Sequence, residues 1–169
     1  MKYVKFIISL LILSSCIEVE FKQPMPPNKG TTLEKLPEEI ISYFMSLDKV
    51  STGNSKLDIS EFNSDFDWND PLPEEIIFKK WKGSYFLNQK EGERWQLLMV
   101  KDGSNKSFNV YHIDGSNSTT IDKLKSLTKV EEVFSDDGDL ERVILDPSLK
   151  EFKKIIKSGA FEQIDLFDN

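Results

Sequence analysis

The second half of the chain shows the hydrophobic and polar patterns of β-strands. Trp95–Val100 and Phe108–Ile113 are short runs dominated by aliphatic and aromatic residues, as is typical of strands. Val130–Phe134 and Leu140–Leu145 lie on either side of Asp137-Gly138, and an Asp-Gly pair supplies the positive φ angles of tight turns. These patterns predict antiparallel β-hairpins.

The clearest helix signals come near the C-terminus. Pro147 predicts a first helical turn, Ser148 and Glu151 have the spacing of a capping box, and Gly159 predicts the C-terminal stop. The apolar side chains of this segment recur at helical spacing and form one stripe: Leu149, Phe152, Ile155 and Ile156. The stripe predicts an amphipathic helix that packs on the sheet rather than on a membrane.

These elements indicate a fold class. A second, short helix is predicted over Thr120–Leu127, where Ile121, Leu124 and Leu127 recur every third position. We expect a mainly β (α+β) protein, built as an antiparallel curled sheet or a small barrel with the C-terminal amphipathic helix packed against it. The 12 Phe, 3 Trp and 4 Tyr supply large side chains for its core.

A hexapeptide occurs twice. Leu36–Ile41 recurs unchanged as Leu72–Ile77; the first copy runs into Ser42–Met45, whereas the second inserts Phe78–Gly83 before Ser84–Leu87. Duplication of a strand-bearing unit and coincidence both explain the match, and two copies are too few for a solenoid.

The repeat bears on one ambiguous segment. Pro37–Leu47 fits a helix with Ile40, Phe44 and Leu47 on one face. Its counterpart, Ser84–Asn88, precedes a strand-like run, which favours a strand over Ile41–Ser46.

An apolar run follows the N-terminus. Phe6–Leu13 has eight residues and comes after Lys2 and Lys5. It is far shorter than the ~20 residues of a membrane-spanning helix, so it predicts a signal peptide over residues 1–15. The run closes on Leu13-Ser14-Ser15-Cys16, which resembles the lipobox of bacterial lipoproteins. The resemblance implies cleavage before Cys16 and a lipid on that cysteine; the alternative is an ordinary secretory signal with an incidental cysteine.

Residues 16–30 are interpreted as the lipidated cysteine and a proline-rich tether. Pro24, Pro26 and Pro27, with Asn28 and Gly30 after them, interrupt regular structure and favour extended polyproline geometry. At about 3.1 Å per residue the tether would reach on the order of 40 Å. We expect it to hold a single globular domain, residues 31–169, clear of the lipid headgroups.

Charge and length narrow the expected partners. Removal of residues 1–15 leaves 154 residues, suited to one domain, with 20 basic against 29 acidic side chains and a net charge of −9. An anionic membrane surface repels such a body, so the lipid must hold it there. Nucleic acid is not an expected partner, because its binding needs a basic face and only Arg94 and Arg142 offer forked phosphate contacts.

Few residues offer catalytic chemistry. Cys16 is the only cysteine, so a lipid on it leaves no disulfide and no thiol nucleophile. His112 is the only histidine and no serine has a Gly-x-Ser-x-Gly context, which favours a structural or surface role for His112. Glu38/Glu39 and Glu74/Glu75 are adjacent pairs, and adjacent strand residues point to opposite faces. We predict neither catalytic activity nor a cofactor.

One acidic segment imitates the start of a calcium loop. Asp65, Asp67 and Asn69 have the alternate spacing that lets oxygens converge on the ion. The pattern then fails, because Asp70 replaces the glycine of the sixth position and Ile76 the glutamate of the twelfth. A strand with outward carboxylates is the favoured interpretation, so the three are weak candidates. Ser135–Asp139 is interpreted as a solvated hairpin turn, and no metal site is expected.

Several stretches carry a further resemblance: Phe21-Lys22-Gln23-Pro24, Tyr85-Phe86-Leu87-Asn88 before Trp95, Leu127-Thr128-Lys129-Val130, and Asp146-Pro147-Ser148 through Phe152-Lys153-Lys154 to Phe161. On the basis of these stretches, the chain from Glu20 to Asn169 resembles a group of uncharacterised lipoproteins of Bacteroidota. The group implies no activity. Ile17 stands where an aspartate retains proteobacterial lipoproteins in the inner membrane, which favours the outer membrane; Glu18 and Glu20 form only a weak surface-export signal.

The expected function is that of a lipid-anchored cell-envelope lipoprotein with a non-catalytic binding or structural role. The membrane is a partner through the lipid on Cys16, and the expected second partner is an envelope protein or a small apolar ligand. The periplasmic and the surface side of the membrane both stay open. The alternative is a β-barrel carrier of a small apolar ligand, and the third candidate is an envelope hydrolase.

Overall fold

The computed structural model describes residues 17–43, 71–104 and 107–164 of the 169-residue chain. Within these ranges the chain forms nine strands and three short helices. In chain order they are β1 (Glu18–Phe21), β2 (Thr31–Leu33), α1 (38–43), β3 (Ile76–Trp81), β4 (Ser84–Glu91), β5 (Arg94–Asp102), β6 (Phe108–His112), α2 (Ser118–Leu127), β7 (Val130–Phe134), β8 (Leu140–Leu145), α3 (Leu149–Lys157) and β9 (Glu162–Gln163).

The described strands belong to one mixed, open sheet. Their order is β2-β3-β4-β5-β1-β8-β7, and β6 pairs with the C-terminal part of β5 and with β9. The pairings are antiparallel except that β1 runs parallel to β8. The prediction of a mainly β fold with a C-terminal helix is confirmed, and the chain adopts the open sheet rather than the barrel.

The predicted hairpins are present. β7 and β8 pair around the Ser135–Asp139 turn, in which Gly138 has a φ of 89°. β3 and β4 are joined by Lys82-Gly83, where φ is 51° and 74°. Two consecutive positive φ angles are typical of the type I′ turn, whose twist matches that of the flanking strands.

β1 contradicts the predicted tether. Residues 17–30 do not extend away from the domain, because β1 lies inside the sheet between β5 and β8. Phe21 and Met25, which flank the start of the proline-rich stretch, are 1% and 0% exposed. The physical reason is burial. Moving the apolar side chains of Phe21 and Met25, on either side of Pro24, out of water stabilises the packed segment more than its local preference for extended geometry stabilises a free tether. The folded domain therefore includes residues 17–30.

The two hexapeptide copies adopt different structures. Both begin with the same turn, in which the amide of Ile40 donates to the carbonyl of Pro37 (3.0 Å) and that of Ile76 to Pro73 (2.8 Å). The first copy then continues as α1 and the second enters β3. The predicted strand over Ile41–Ser46 is wrong for residues 41–43; the rest lies outside the described residues. The second copy gains β4 as a pairing partner, and the first does not.

α2 and α3 pack on one face of the sheet, as was predicted for α3. Their buried side chains join a core cluster with Met25 and residues of β1, β4, β5 and β8. Ser148 is the N-cap of α3 and forms the predicted capping box with Glu151. Pro147 precedes the cap instead of lying in the first turn, and Gly159, at a φ of 72°, follows the C-cap.

The opposite face carries a second cluster. α1 contributes Ile40, which is 1% exposed, and the sheet contributes the remaining buried members: Phe78, Tyr85, Leu98, Val100, Phe108 and Val110. In the described part, apolar side chains thus fill both faces of the sheet. A ligand chamber inside a closed barrel has no place in this arrangement.

Candidate functional site

A cleft of about 500 Å³ lies between the β3–β4 turn, the end of β5 and α3. Its apolar lining consists of Trp81, Phe86 and Ile156. Its other lining residues are Lys82, Gly83, Ser84, Lys101, Asp102, Lys153 and Lys157. Basic side chains thus outnumber the one carboxylate of this lining by four to one.

Trp81 is held by the hairpin and by the core. It is the last residue of β3 and pairs with Ser84 across the turn. Its ring centroid lies 6.2 Å from that of Phe86 and 6.4 Å from that of Phe152, whose ring is inclined by only 28°. Because Phe152 is fully buried, the indole has a fixed support and still borders the cleft.

Two ammonium groups converge on this indole. The Nζ atoms of Lys82 and Lys153 lie 5.3 Å and 6.0 Å from the centroid of Trp81, within the reach of cation–π attraction. Lys101 lies over the ring of Tyr111, at 5.1 Å. The ammonium groups of the cleft lysines make no ion pair or hydrogen bond with any residue of the described part. Their charge is therefore available to a ligand.

This arrangement suits an anion that has an apolar part. Each lysine offers three donors on a compact positive charge, and Trp81 and Phe86 offer aromatic surface beside them. The whole chain carries a net charge of −7, so the cleft opposes the global charge. Its lining contains neither histidine nor cysteine. The ammonium groups and aromatic rings of this lining are suited to binding and orienting such a ligand.

His112 lies on β6, opposite Glu162 of β9 and outside the cleft lining. Burial is the main influence on its pKa and lowers it below 6.5, while Asp114 and Glu162 act more weakly in the opposite direction. The imidazole is therefore neutral near pH 7, as suits a structural side chain in a partly buried strand.

The structure describes only some of the other predicted site residues. Cys16, Asp65, Asp67 and Asn69 lie outside the described residues. The Ser135–Asp139 segment is the hairpin turn that was expected, closed by a 2.8 Å bond from the Ser135 amide to the Asp139 carbonyl. Glu39 accepts a hydrogen bond from the Tyr85 hydroxyl (3.2 Å). In residues 17–43, 71–104 and 107–164, no three His, Cys, Asp or Glu side chains are grouped to hold a metal.

Sequence reasoning did not find the cleft, although part of its signal is visible. Phe78–Gly83, the insertion in the second hexapeptide copy, contains Lys-Lys-Trp-Lys, and α3 contains Phe152-Lys153. Each aromatic–lysine pair alone is ordinary on a solvated face. Only the packing of α3 against the β3–β4 hairpin joins them.

Comparison with known proteins found no relative of this chain. No protein-family model, no curated protein and no solved structure matches the chain. Among the helices of the described ranges, none combines the length and the apolar character that crossing a membrane requires. The cleft is therefore interpreted from its own geometry and chemistry.

Proposed function

We propose that this protein is a non-catalytic, lipid-anchored protein of the cell envelope that binds an anionic ligand in the Trp81 cleft. One observation carries the binding role: Lys82 and Lys153 converge on Trp81, and no carboxylate of the described part pairs with them. The anchor rests on the lipobox-like sequence that ends in Cys16, and Ile17 after it favours the outer membrane.

The chemistry of the ligand is inferred from the cleft lining. The ammonium groups of Lys82 and Lys153 carry like charge beside one ring, and an anion in the cleft would attract both of them. Aromatic surface beside the charges favours a ligand that joins a phosphate or carboxylate to a flat or apolar group. The volume, about 500 Å³, falls in the usual range of small-molecule sites.

A carrier of a small apolar ligand is the second candidate, favoured by Trp81, Phe86 and Ile156 in the lining. Since the sheet is open, its ligand would occupy the cleft rather than a barrel interior. The two candidates differ in one property, the charge of the ligand. An envelope hydrolase has no observation in its favour among the described residues.

Calorimetric titration separates the two candidates. The full-length protein, in an uncharged detergent, is titrated with 2-naphthyl phosphate and with 2-naphthol, which differ in the anionic group. We expect the phosphate to bind at least about tenfold more tightly, a difference of about 1.4 kcal/mol. Equal binding of both would support the carrier instead, and no binding of either would contradict both.

A charge variant and a matched control locate the site. Lys82→Gln with Lys153→Gln should remove the preference for the phosphate. Lys90→Gln should keep it, because the Nζ of Lys90 lies 5.9 Å from a different indole, that of Trp95, outside the cleft lining.

The anchor has its own test. Cys16→Ala should abolish incorporation of a labelled fatty acid and release the protein from membranes or leave it unprocessed. Acylation and membrane retention that persist in this variant would refute the lipid site.

A further inference from the structure

β1 begins at the end of the sheet that carries the cleft. β1 is antiparallel to β5, with Phe21 opposite Trp95, so residues before Phe21 lie progressively nearer to the C-terminal end of β5. That end carries Lys101, which pairs with Ser84, and Ser84 pairs with Trp81. Ile17, the described residue that precedes β1, therefore lies toward the same end of the sheet as the Trp81 cleft.

Ile17 leaves no spacer between a lipid on Cys16 and the sheet. Ile17 directly precedes β1, and its carbonyl group packs so closely on Gly115 that a β-carbon at that glycine would overlap it. Consecutive Cα atoms are about 3.8 Å apart. A lipid on Cys16 would thus hold this end of the sheet at the membrane surface.

Charge at this end is divided between the two sides of β1. On one side lie β5, β4 and β3, and β6 pairs with this end of β5. This side carries the basic flank, which we define as Lys82, Lys101, Lys153 and Lys157, with Asp102 as the single carboxylate beside them. On the other side lies β8, which runs parallel to β1, so the turn before β8 is at this end too. That turn holds the exposed acidic flank, which we define as Asp136, Asp137 and Asp139.

We propose that the membrane itself supplies the anion: the domain leans onto an anionic bilayer with its basic flank down, and a lipid phosphate group enters the Trp81 cleft. This inference rests on the proposed function, because the lipid on Cys16 must hold the domain within the reach of the surface charge. That reach is about 10 Å at moderate salt, less than the width of the domain, so the two flanks experience different fields.

The opposed flanks determine orientation rather than attachment. An anionic surface attracts lysine ammonium groups and repels aspartates. A net charge of −9 in the mature chain opposes adhesion as a whole, and the anchor overcomes this. Once the lipid holds the domain at the bilayer, the domain should rotate so that the basic flank faces the lipid headgroups and the acidic flank faces away from them. Attraction of the one flank and repulsion of the other favour the same rotation.

Quenching from the bilayer surface tests the orientation. The lipidated full-length protein is reconstituted into phosphatidylcholine vesicles with or without phosphatidylglycerol, with a nitroxide on a fraction of the headgroups. A fluorophore is attached at Ser104→Cys, an exposed position just beyond β5, or at Asp137→Cys on the acidic flank. With phosphatidylglycerol we expect the Ser104 label to be quenched at least about twofold more than the Asp137 label, and high salt should reduce the difference.

Charge reversal supplies the control. Lys82→Glu with Lys153→Glu should abolish the difference in quenching, whereas Lys90→Glu, outside the cleft lining, should leave it. Unchanged unfolding curves of both variants show that the domain is intact. A difference that survives the double reversal would overturn the role of the cleft.

The outcomes separate this inference from the proposed function. Equal quenching of both labels on a protein whose Cys16 carries lipid, as seen by mass spectrometry, overturns the leaning domain alone. If 2-naphthyl phosphate still binds in that case, the cleft serves a soluble anion. Absence of lipid on Cys16 overturns the anchor, and the membrane orientation with it.

Discussion

The side-chain amide of Asn88 pairs with both backbone groups of Met25. Met25 N donates to Asn88 Oδ1 at 2.6 Å, and Asn88 Nδ2 donates to Met25 O at 2.9 Å. Lys79 Nζ donates to the carbonyls of Pro24 (3.4 Å) and Pro26 (2.9 Å). Prolines have no amide hydrogen, so this segment cannot form the regular hydrogen-bond ladder of a strand. Side chains of β3 and β4 bond to its remaining amide and carbonyl groups instead. This is how a proline-rich segment packs on the domain.

Asn88→Ala should therefore destabilise the domain strongly. The substitution leaves the buried amide and carbonyl of Met25 without partners, and each such loss costs about 1–3 kcal/mol. Urea unfolding should show a decrease of about 2–4 kcal/mol in the free energy of unfolding. Gln163→Ala, which removes an exposed amide on β9, is the control and should have little effect. Equal stability of the two variants would refute the anchoring role of Asn88.

Glu20→Gln should stabilise the protein near pH 7 but not in acid. Glu20 is 2% exposed and its Oε2 has no partner in the described part. Burial, opposed by Arg142, raises its pKa above 4.5. Above pH 4.5 the unfolded chain releases a proton that the folded chain retains, so rising pH favours unfolding. Glutamine removes this loss, and below pH 4.5 the variant and the parent should converge.

Glu131→Gln is the control of opposite sign. A hydrogen bond from Lys22 lowers the pKa of the exposed Glu131 below 4.5, so this carboxylate stabilises the fold above pH 4.5 and the effect is lost as the pH falls. Unfolding curves across this range should show the two variants diverging in opposite directions. Parallel curves would contradict both assignments.

Protonation of His112 should lower the free energy of unfolding as the pH falls below 6.5. Its pKa is held below 6.5 by burial, so as the pH falls below 6.5 the unfolded chain takes up a proton before the folded chain does. The free energy of unfolding should decrease until the folded imidazole also titrates, and His112→Gln should remove this dependence. Because the chain has one histidine, NMR titration follows a single imidazole. A midpoint at or above 6.5 would contradict the prediction.

Gly115→Ala should disrupt the start of β1. A β-carbon at this position would overlap the backbone carbonyl of Ile17, and backbone cannot move aside as a side chain can. We expect a loss of about 1–3 kcal/mol in unfolding free energy. Gly103→Ala is the comparison, because its β-carbon would meet the movable hydroxyl of Ser107. A smaller loss at Gly115 than at Gly103 would refute the tight fit of Ile17.

Some elements could be predicted because their signals are local. The β7–β8 hairpin is indicated by Asp137-Gly138 and its two flanking apolar runs, and α3 by the Ser148–Glu151 capping box and its apolar stripe. The cleft could not be predicted, because Trp81 and Lys153 are far apart in the chain and only tertiary packing brings them to one site.

The sequence by itself determined turns, caps and strand-forming runs, since these depend on neighbouring residues. The two copies of the hexapeptide Leu-Pro-Glu-Glu-Ile-Ile form the same turn, at Pro37 and at Pro73. Tertiary structure decided which element succeeds each turn, α1 or β3, according to whether a partner strand is beside it. It likewise placed β1 between β5 and β8, because non-local pairing and apolar burial outweigh the local preference of a proline-rich segment for extended structure.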